Sequence, residues 1–365
     1  MSATVQPIAL MQRLENLLEP GVGAAVDCII GSIMTVQHIQ AEAARQKRLT
    51  ADLMLLGVAA VWGFAFVAQR LAAAEIGFLT FNGWRFLVGA LALTPLLVFR
   101  NRSPKDEVER APAEQVKTRF GLLLAGVLLT LAATFQQAGL KFTSAGNAGF
   151  ITGLYVVLIP IFLAVGWRRA PSKVTWLAAV LAAGGLFLLS TGGRMQFNQG
   201  DLLVLVSAVF WALHVMQIDW MVKRMDVVQF AAGQYLVCGL ISLGLGLALE
   251  GHNTAVLLEN WWPIAYTGLI SIALGYTLQA AGQRFAPPAD AAIILSMEAV
   301  FATFSGWVFL QENLTWIQIA GGGTMLLGML LAQRDVIPGN RNAQSAGAEH
   351  RLLQPVMQSP RCMIV

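Results

Sequence analysis

Glu298 is the residue of this chain best placed to do chemistry. It stands within the apolar stretch 289–310, where an ionised side chain costs ~2.5 kcal/mol or more if the stretch lies in a bilayer. A carboxyl kept there can bind a substrate amine or carry a proton. Ile294 and Asp290 precede it by one and two helical turns, so all three share a helix face. The same face recurs 143 positions upstream as Asn147, Ile151 and Tyr155, polar but uncharged. Gln136 and Gln279 occupy matching positions at that same shift, and Trp62 matches Trp211 at a shift of 149. With Phe66 and Tyr276 these tryptophans could wall a cavity. His214 lies one turn from Trp211 and near Gln217; its charge changes near neutral pH, which makes it the second candidate for moving protons. Substrate binding is therefore expected at Trp62, Gln136, Asn147, Tyr155, Trp211, Gln279 and Glu298, and proton coupling at Glu298 and His214. Arg85, whose counterpart is Gln234, could anchor an anion. A lone arginine in such a stretch is more often a structural partner of a carboxylate or of helix-end carbonyls.

The matched positions come from a duplication. Thr134 to Ile151 reads TFQQAGLKFTSAGNAGFI, and Thr277 to Ile294 reads TLQAAGQRFAPPADAAII. Phe81-Asn-Gly-Trp-Arg-Phe-Leu-Val-Gly-Ala-Leu aligns with Phe230-Ala-Ala-Gly-Gln-Tyr-Leu-Val-Cys-Gly-Leu, and Thr175-Trp176 aligns with Thr315-Trp316 at a shift of 140. Three matches in the same order, with small drifts in spacing, exclude coincidence. A duplicated hydrophobic chain is the mark of a transporter built from two halves around a central site.

The elements that carry these residues are membrane spans. Hydrophobic residues make up 56% of the chain and charged residues 12%, about half the charged share of a soluble domain. Ten segments are long enough to cross: about 51–69, 78–99, 120–140, 144–166, 174–191, 200–221, 228–249, 261–282, 289–310 and 314–332. The fold expected is an all-α membrane protein of ten helices, arranged as two inverted five-helix repeats. Lys and Arg in the connecting segments fall twenty on one side and three (Arg70, Lys141, Arg194) on the other. That bias puts both termini in the cytoplasm. Five spans per repeat is an odd number, so the second repeat enters the membrane upside down relative to the first. Inverted halves can exchange roles and open one site to either side.

Four parts follow: an N-terminal extension (1–50), the first repeat (51–191), the second repeat (200–332) and a cytoplasmic tail (333–365). The apolar stretch Gly21 to Val36 is only about 16 residues long and contains Asp27. It lacks the features of a secretory signal and reads as an interfacial helix or a disordered extension.

Enzymatic chemistry finds little support. His38, His214, His252 and His350 are scattered, Cys28, Cys238 and Cys362 lie far apart, and no spacing suits a metal or redox site. There is no P-loop, so ATP is not the energy source. No cofactor is implied. The excess of four positive charges sits in membrane-flanking segments and gives no reason to expect nucleic acid. The expected partners are a small-molecule solute and the lipid bilayer. Small residues (Ala179, Ala183 and Gly184; Gly321, Gly322, Gly323 and Gly328) let helices approach closely and could form a homodimer face.

Several of these residues resemble a known family. Trp62-Gly63, Arg85, the run from Ser144-Ala-Gly-Asn-Ala-Gly-Phe-Ile-Thr-Gly-Leu to Pro160, and Glu312-Asn-Leu-Thr-Trp-Ile-Gln-Ile-Ala-Gly-Gly look like the EamA branch of the drug/metabolite transporter superfamily. The resemblance covers about residues 51–332. It implies a ten-helix inner-membrane carrier, often an exporter of metabolites, with a cavity between the halves. One departure stands out: the family's ninth span usually has Glu-Pro, whereas Glu298 is followed by Ala299, so a weaker kink is expected there. The function expected is secondary transport of a small organic metabolite across the bacterial inner membrane by alternating access, as an exporter, with proton coupling a further candidate property. A channel and an intramembrane enzyme are the alternatives. Saturable flux separates the first from a carrier, and a chemically altered solute reveals the second.

Overall fold

The computed structural model describes residues 22–100, 112–143, 145–166, 168, 171–192, 198–251, 253–310 and 315–332. The chain divides into two units. One comprises Met1–Lys47 with Arg334–Val365, of which only 22–47, the helical start of α1, is described. The other, Arg48–Gln333, is a helical bundle.

The helices are α1 Val22–Glu75, α2 Phe78–Ala92, α3 Thr94–Arg100, α4 Pro112–Leu140, α5 Ala145–Gly153, α6 Tyr155–Val165 and α7 Lys173–Thr191. They continue with α8 Gln199–Met221, α9 Val227–Leu249, α10 Thr254–Glu259, α11 Trp261–Tyr266, a π-helical segment Thr267–Tyr276, α12 Thr277–Gln283, α13 Pro288–Leu295, α14 Glu298–Leu310 and α15 Trp316–Ala332. Among the described residues, nine stretches are long and apolar enough to cross a bilayer, and Trp316–Ala332 is a shorter apolar tenth. α2 with α3 forms the second span, α5 with α6 the fourth, α11 through α12 the eighth, and α13 with α14 the ninth. Residues 22–50, read from sequence as part of an interfacial helix or a disordered extension, are helical. The tail from 334 onward lies outside the described residues.

Packing shows the inversion directly. The second and seventh spans are repeat mates, and a Cβ built on Gly83 would come within 2.7 Å of Leu243. Gly239 meets Leu87, and Gly246 meets Thr80. Numbers rise along one span as they fall along the other, so mates run antiparallel. At the same crossing the Glu250 carboxylate accepts from Leu79 N, Thr80 N and Thr80 Oγ1 at 2.8–2.9 Å. Leu79 N and Thr80 N are amides of the first turn of α2, which no intrahelical carbonyl can satisfy. The fifth and tenth spans, also mates, cross antiparallel through Gly185 on Gly321 and Gly328 on Ala178. Part of the small-residue stripe is thus used within the chain, while Gly184 and Gly323 face open space.

The other contacts swap between repeats. Gly139 of α4 packs on Gly200 and Val204 of α8, and Gly282 of α12 packs on Ala51 and Leu55 of α1. Ala51 and Leu55 are the repeat equivalents of Gly200 and Val204. The same joint is therefore built twice, once at each end of the bundle.

The fourth and ninth spans are broken at the same place. Leu154 N bonds to Ile151 O, Val157 N to Leu154 O and Leu158 N to Leu154 O; 143 residues later Met297 N bonds to Ile294 O, Val300 N to Met297 O and Phe301 N to Met297 O. In each copy the helix tightens into i→i−3 turns, releases its regular ladder, and restarts at Tyr155 or at Glu298. The break precedes Glu298, and Ala299 N donates to Ser296 O (3.2 Å), a bond that a proline at this position would lack. The break is set by Ser296 and Met297, with Ser296 Oγ donating to Ile293 O at 2.8 Å.

Candidate functional site

The two breaks face one buried cavity. Trp62, Phe66 and Gln69 line it from α1, at spacings of one helical turn. Arg85 comes from α2, Gln136 from α4, Thr152 and Tyr155 from the fourth span, and Trp211 and Val215 from α8. Ser271, Tyr276 and Gln279 come from the eighth span, and Leu295 and Glu298 from the ninth. The pairs Trp62 and Trp211, Phe66 and Val215, Gln136 and Gln279, Thr152 and Leu295, and Tyr155 and Glu298 are repeat mates, so the pseudo-twofold passes through the cavity. Its volume is about 30 Å³, room for about one water. No organic molecule fits a space of that size.

Six of the seven expected binding residues meet here: Trp62, Gln136, Tyr155, Trp211, Gln279 and Glu298. The side chain of the seventh, Asn147, lies outside the described residues. Trp62 Nε1 donates to Ser271 O of the π-helical segment (3.1 Å), and its ring packs on Tyr276 with centroids 4.5 Å apart. Trp211 stacks on Tyr276 from the other repeat at 5.9 Å. Gln136 Nε2 donates to Thr152 Oγ1 (3.0 Å). Glu298 is 4% exposed and starts a half-helix. Four buried polar atoms of the lining have no protein hydrogen-bond partner: Arg85 Nε, Tyr155 OH, Trp211 Nε1 and Gln279 Oε1. Burying such atoms unpaired is costly, and a polar solute would satisfy them.

His214 does not reach the cavity. It is fully buried one layer behind, bonded through Nε2 to Gln234 Oε1 (2.8 Å), with its ring against Trp211 and Tyr276. Asp290 is also elsewhere. Its carboxylate accepts from Arg48 Nη2 (2.8 Å), and Arg48 Nε donates to Asp52 (3.0 Å). The polar face drawn through Asp290 and Glu298 is therefore divided: Glu298 faces the cavity, and Asp290 lines a cleft of about 530 Å³ at one end of the bundle. Asp219 and Gln283 line that cleft one turn beyond Val215 and Gln279, and Gln283 Nε2 donates to Val215 O (3.0 Å) across the partition. At the opposite end Thr143 Oγ1 donates to Asp201, the repeat equivalent of Asp52, and Arg70 donates to Leu140 O and Thr143 O. Polar ties between repeats thus close both ends.

Arg85, expected as a partner of a carboxylate or of helix-end carbonyls, lines the cavity and donates to Gln69 Oε1; among the described residues it makes no ion pair. Sequence reasoning also passed over Gln69 and Thr152. Gln69 continues the Trp62–Phe66 face by one turn, and Thr152 lies one turn before Tyr155, so helical spacing could have found both.

Apolar spans in two inverted repeats, closing on one buried polar cavity, define a membrane transporter. The chain belongs to the EamA-like transporter family, whose sequence signature matches it twice, at residues 49–191 and 198–333. An uncharacterized transporter of Archaeoglobus fulgidus is 31% identical over 288 residues, covering 78% of this chain and 86% of its own. The Bacillus subtilis uncharacterized transporter YoaV is 22% identical, covering 76% and 95%. A WAT1-related protein of Arabidopsis thaliana is 22% identical, covering 74% and 66%. A solved structure superposes with a TM-score of 0.64 at 16% identity over 79% of this chain and 97% of its own, a likeness of fold alone.

Proposed function

We propose that this protein is a secondary transporter of the bacterial inner membrane that exports a small organic solute by alternating access, with Glu298 as its proton-coupling group. One observation carries the reading: a single cavity lined by repeat mates, reached from both sides by helices that break at the same repeat position. Discontinuous helices near the midplane, related by an inverted repeat, are how secondary transporters build a site that two rocking halves can share. Matching joints at the two ends, Gly139 on Val204 and Gly282 on Leu55, supply two gates of similar construction. Both termini are cytoplasmic in this reading, which puts the Arg48–Asp290 tie on the inner side. The partition between cavity and inner cleft is one helical turn thick, at Val215–Asp219 and Gln279–Gln283.

The test is transport by the purified chain in proteoliposomes, with currents recorded on concentration jumps of organic acids, amino acids, nucleosides and amines. A saturable, gradient-dependent flux is expected for at least one of them. Flux that rises linearly without saturation would make the protein a channel, and recovery of a chemically altered solute would make it an enzyme.

A further inference from the structure

Among the described residues no acidic side chain neutralises the charge of Arg85. Its side chain is 3% exposed, donates from Nη1 to Gln69 Oε1 (2.8 Å) and lies 5.0 and 5.1 Å from the ring centroids of Phe81 and Phe86. Nε has no hydrogen-bond partner. Among the described residues no carboxylate lies within ion-pair distance of Arg85, and that includes Glu298 of the same cavity. An arginine keeps its charge in proteins. Burying that charge without a counter-ion costs far more than one amide contact and two ring faces return. Such an arrangement makes physical sense when the counter-ion arrives from outside. The other unpaired atoms of the lining point the same way: two are donors, Tyr155 OH and Trp211 Nε1, and one is an acceptor, Gln279 Oε1.

Resting on the transporter reading above, we propose that the transported solute carries an anionic oxygen group, a carboxylate or its phosphonate or sulfonate analogue, and that Arg85 binds it. The guanidinium offers Nε and Nη2 as a fork that matches two oxygens of such a group. Gln69 is the positioning residue, because its hold on Nη1 fixes the plane of that fork. Two kinds of solute share this chemistry. A plain organic anion would travel with Glu298 protonated, and a zwitterion would present its cationic group to Glu298.

The experiment uses the full-length protein in detergent micelles and three matched probe sets: benzoate, benzamide and benzylamine; propionate, propionamide and propylamine; alanine, alaninamide and ethylamine. Ligands that bind the native state raise its melting temperature. The acids are expected to do so and their amides and amines are not; benzoate and propionate against alanine separates anion from zwitterion. Arg85→Gln should weaken acid binding at least about tenfold, the loss of one charge-assisted contact, and Arg85→Lys should retain part of it. Without ligand, Arg85→Gln should melt at or above the wild-type temperature, because it removes a buried uncompensated charge. The proposal is overturned if no acid shifts the wild-type protein or if amides and amines stabilise it equally. It is also overturned if Arg85→Gln keeps the acid response, or melts lower than wild type without ligand as a structural arginine would. Acids that bind through Arg85 yet never cross a proteoliposome bilayer would instead sink the transport reading and leave the anion assignment standing.

Discussion

At the scale of single residues, the repeat mates Tyr155 and Glu298 put a phenol and a carboxyl at one repeat position. Both start a half-helix at the cavity wall, but only Glu298 can gain and lose a proton in the range a cell provides. Glu298→Gln keeps the shape of the protonated acid and removes its ability to release the proton. In proteoliposomes we expect this variant to lose accumulation driven by a pH gradient, at least tenfold, while solute exchange without a gradient persists. If the variant still concentrates solute in response to the gradient, Glu298 is a structural acid and coupling resides elsewhere. His214, bonded to Gln234 behind the aromatic wall, would be examined next.

At the scale of elements, mates cross where side chains are smallest. In lipid no hydrophobic force presses helices together, so close packing of small residues carries the association. A Cβ on Gly321 would fall 2.4 Å from Leu189 N and 2.6 Å from Gly185 O, all in the crossing of α7 and α15. Backbone atoms cannot yield as a side-chain tip can. Gly321→Leu is expected to destabilise the protein by at least ~1–3 kcal/mol, the usual range for overpacking. Gly323, two positions on, has nothing within 4 Å of such a Cβ. Gly323→Leu should therefore stay within about 0.5 kcal/mol of wild type, as substitutions away from packed features do. Thermal denaturation in micelles compares the two. Equal losses would mean that the crossing does not set the effect, since replacing glycine by leucine raises helix propensity at both positions.

At the scale of the whole molecule, the lysine and arginine distribution predicts orientation. In a background with Cys28, Cys238 and Cys362 replaced by serine, Ser172→Cys should be shielded from an impermeant thiol reagent in intact cells, and Asn253→Cys should react. Ser172 caps α7 at the start of the fifth span, and Asn253 caps α10 in the segment between the seventh and eighth spans. Labelling of Ser172→Cys from outside would reverse the assigned orientation, and with it the inner placement of the Arg48–Asp290 tie.

Much of this architecture was legible in the chain because it is written in local or periodic form. Apolar length marks spans, the shifts of 143 and 149 mark the repeat, and repeat matching picked out Trp62, Trp211, Gln136, Gln279, Tyr155 and Glu298 before any contact was known. Mates near the pseudo-twofold axis face each other, and the cavity they line lies there. Three things depended on packing between spans distant in sequence. The break before Glu298 needs no proline, because the tightened turn at Ser296 and Met297 is held by its surroundings. Asp290 left the shared face for the end cleft because Arg48, 242 residues away, meets it there. That no carboxylate among the described residues pairs with Arg85 is not readable from sequence, since it depends on where folding places each acid.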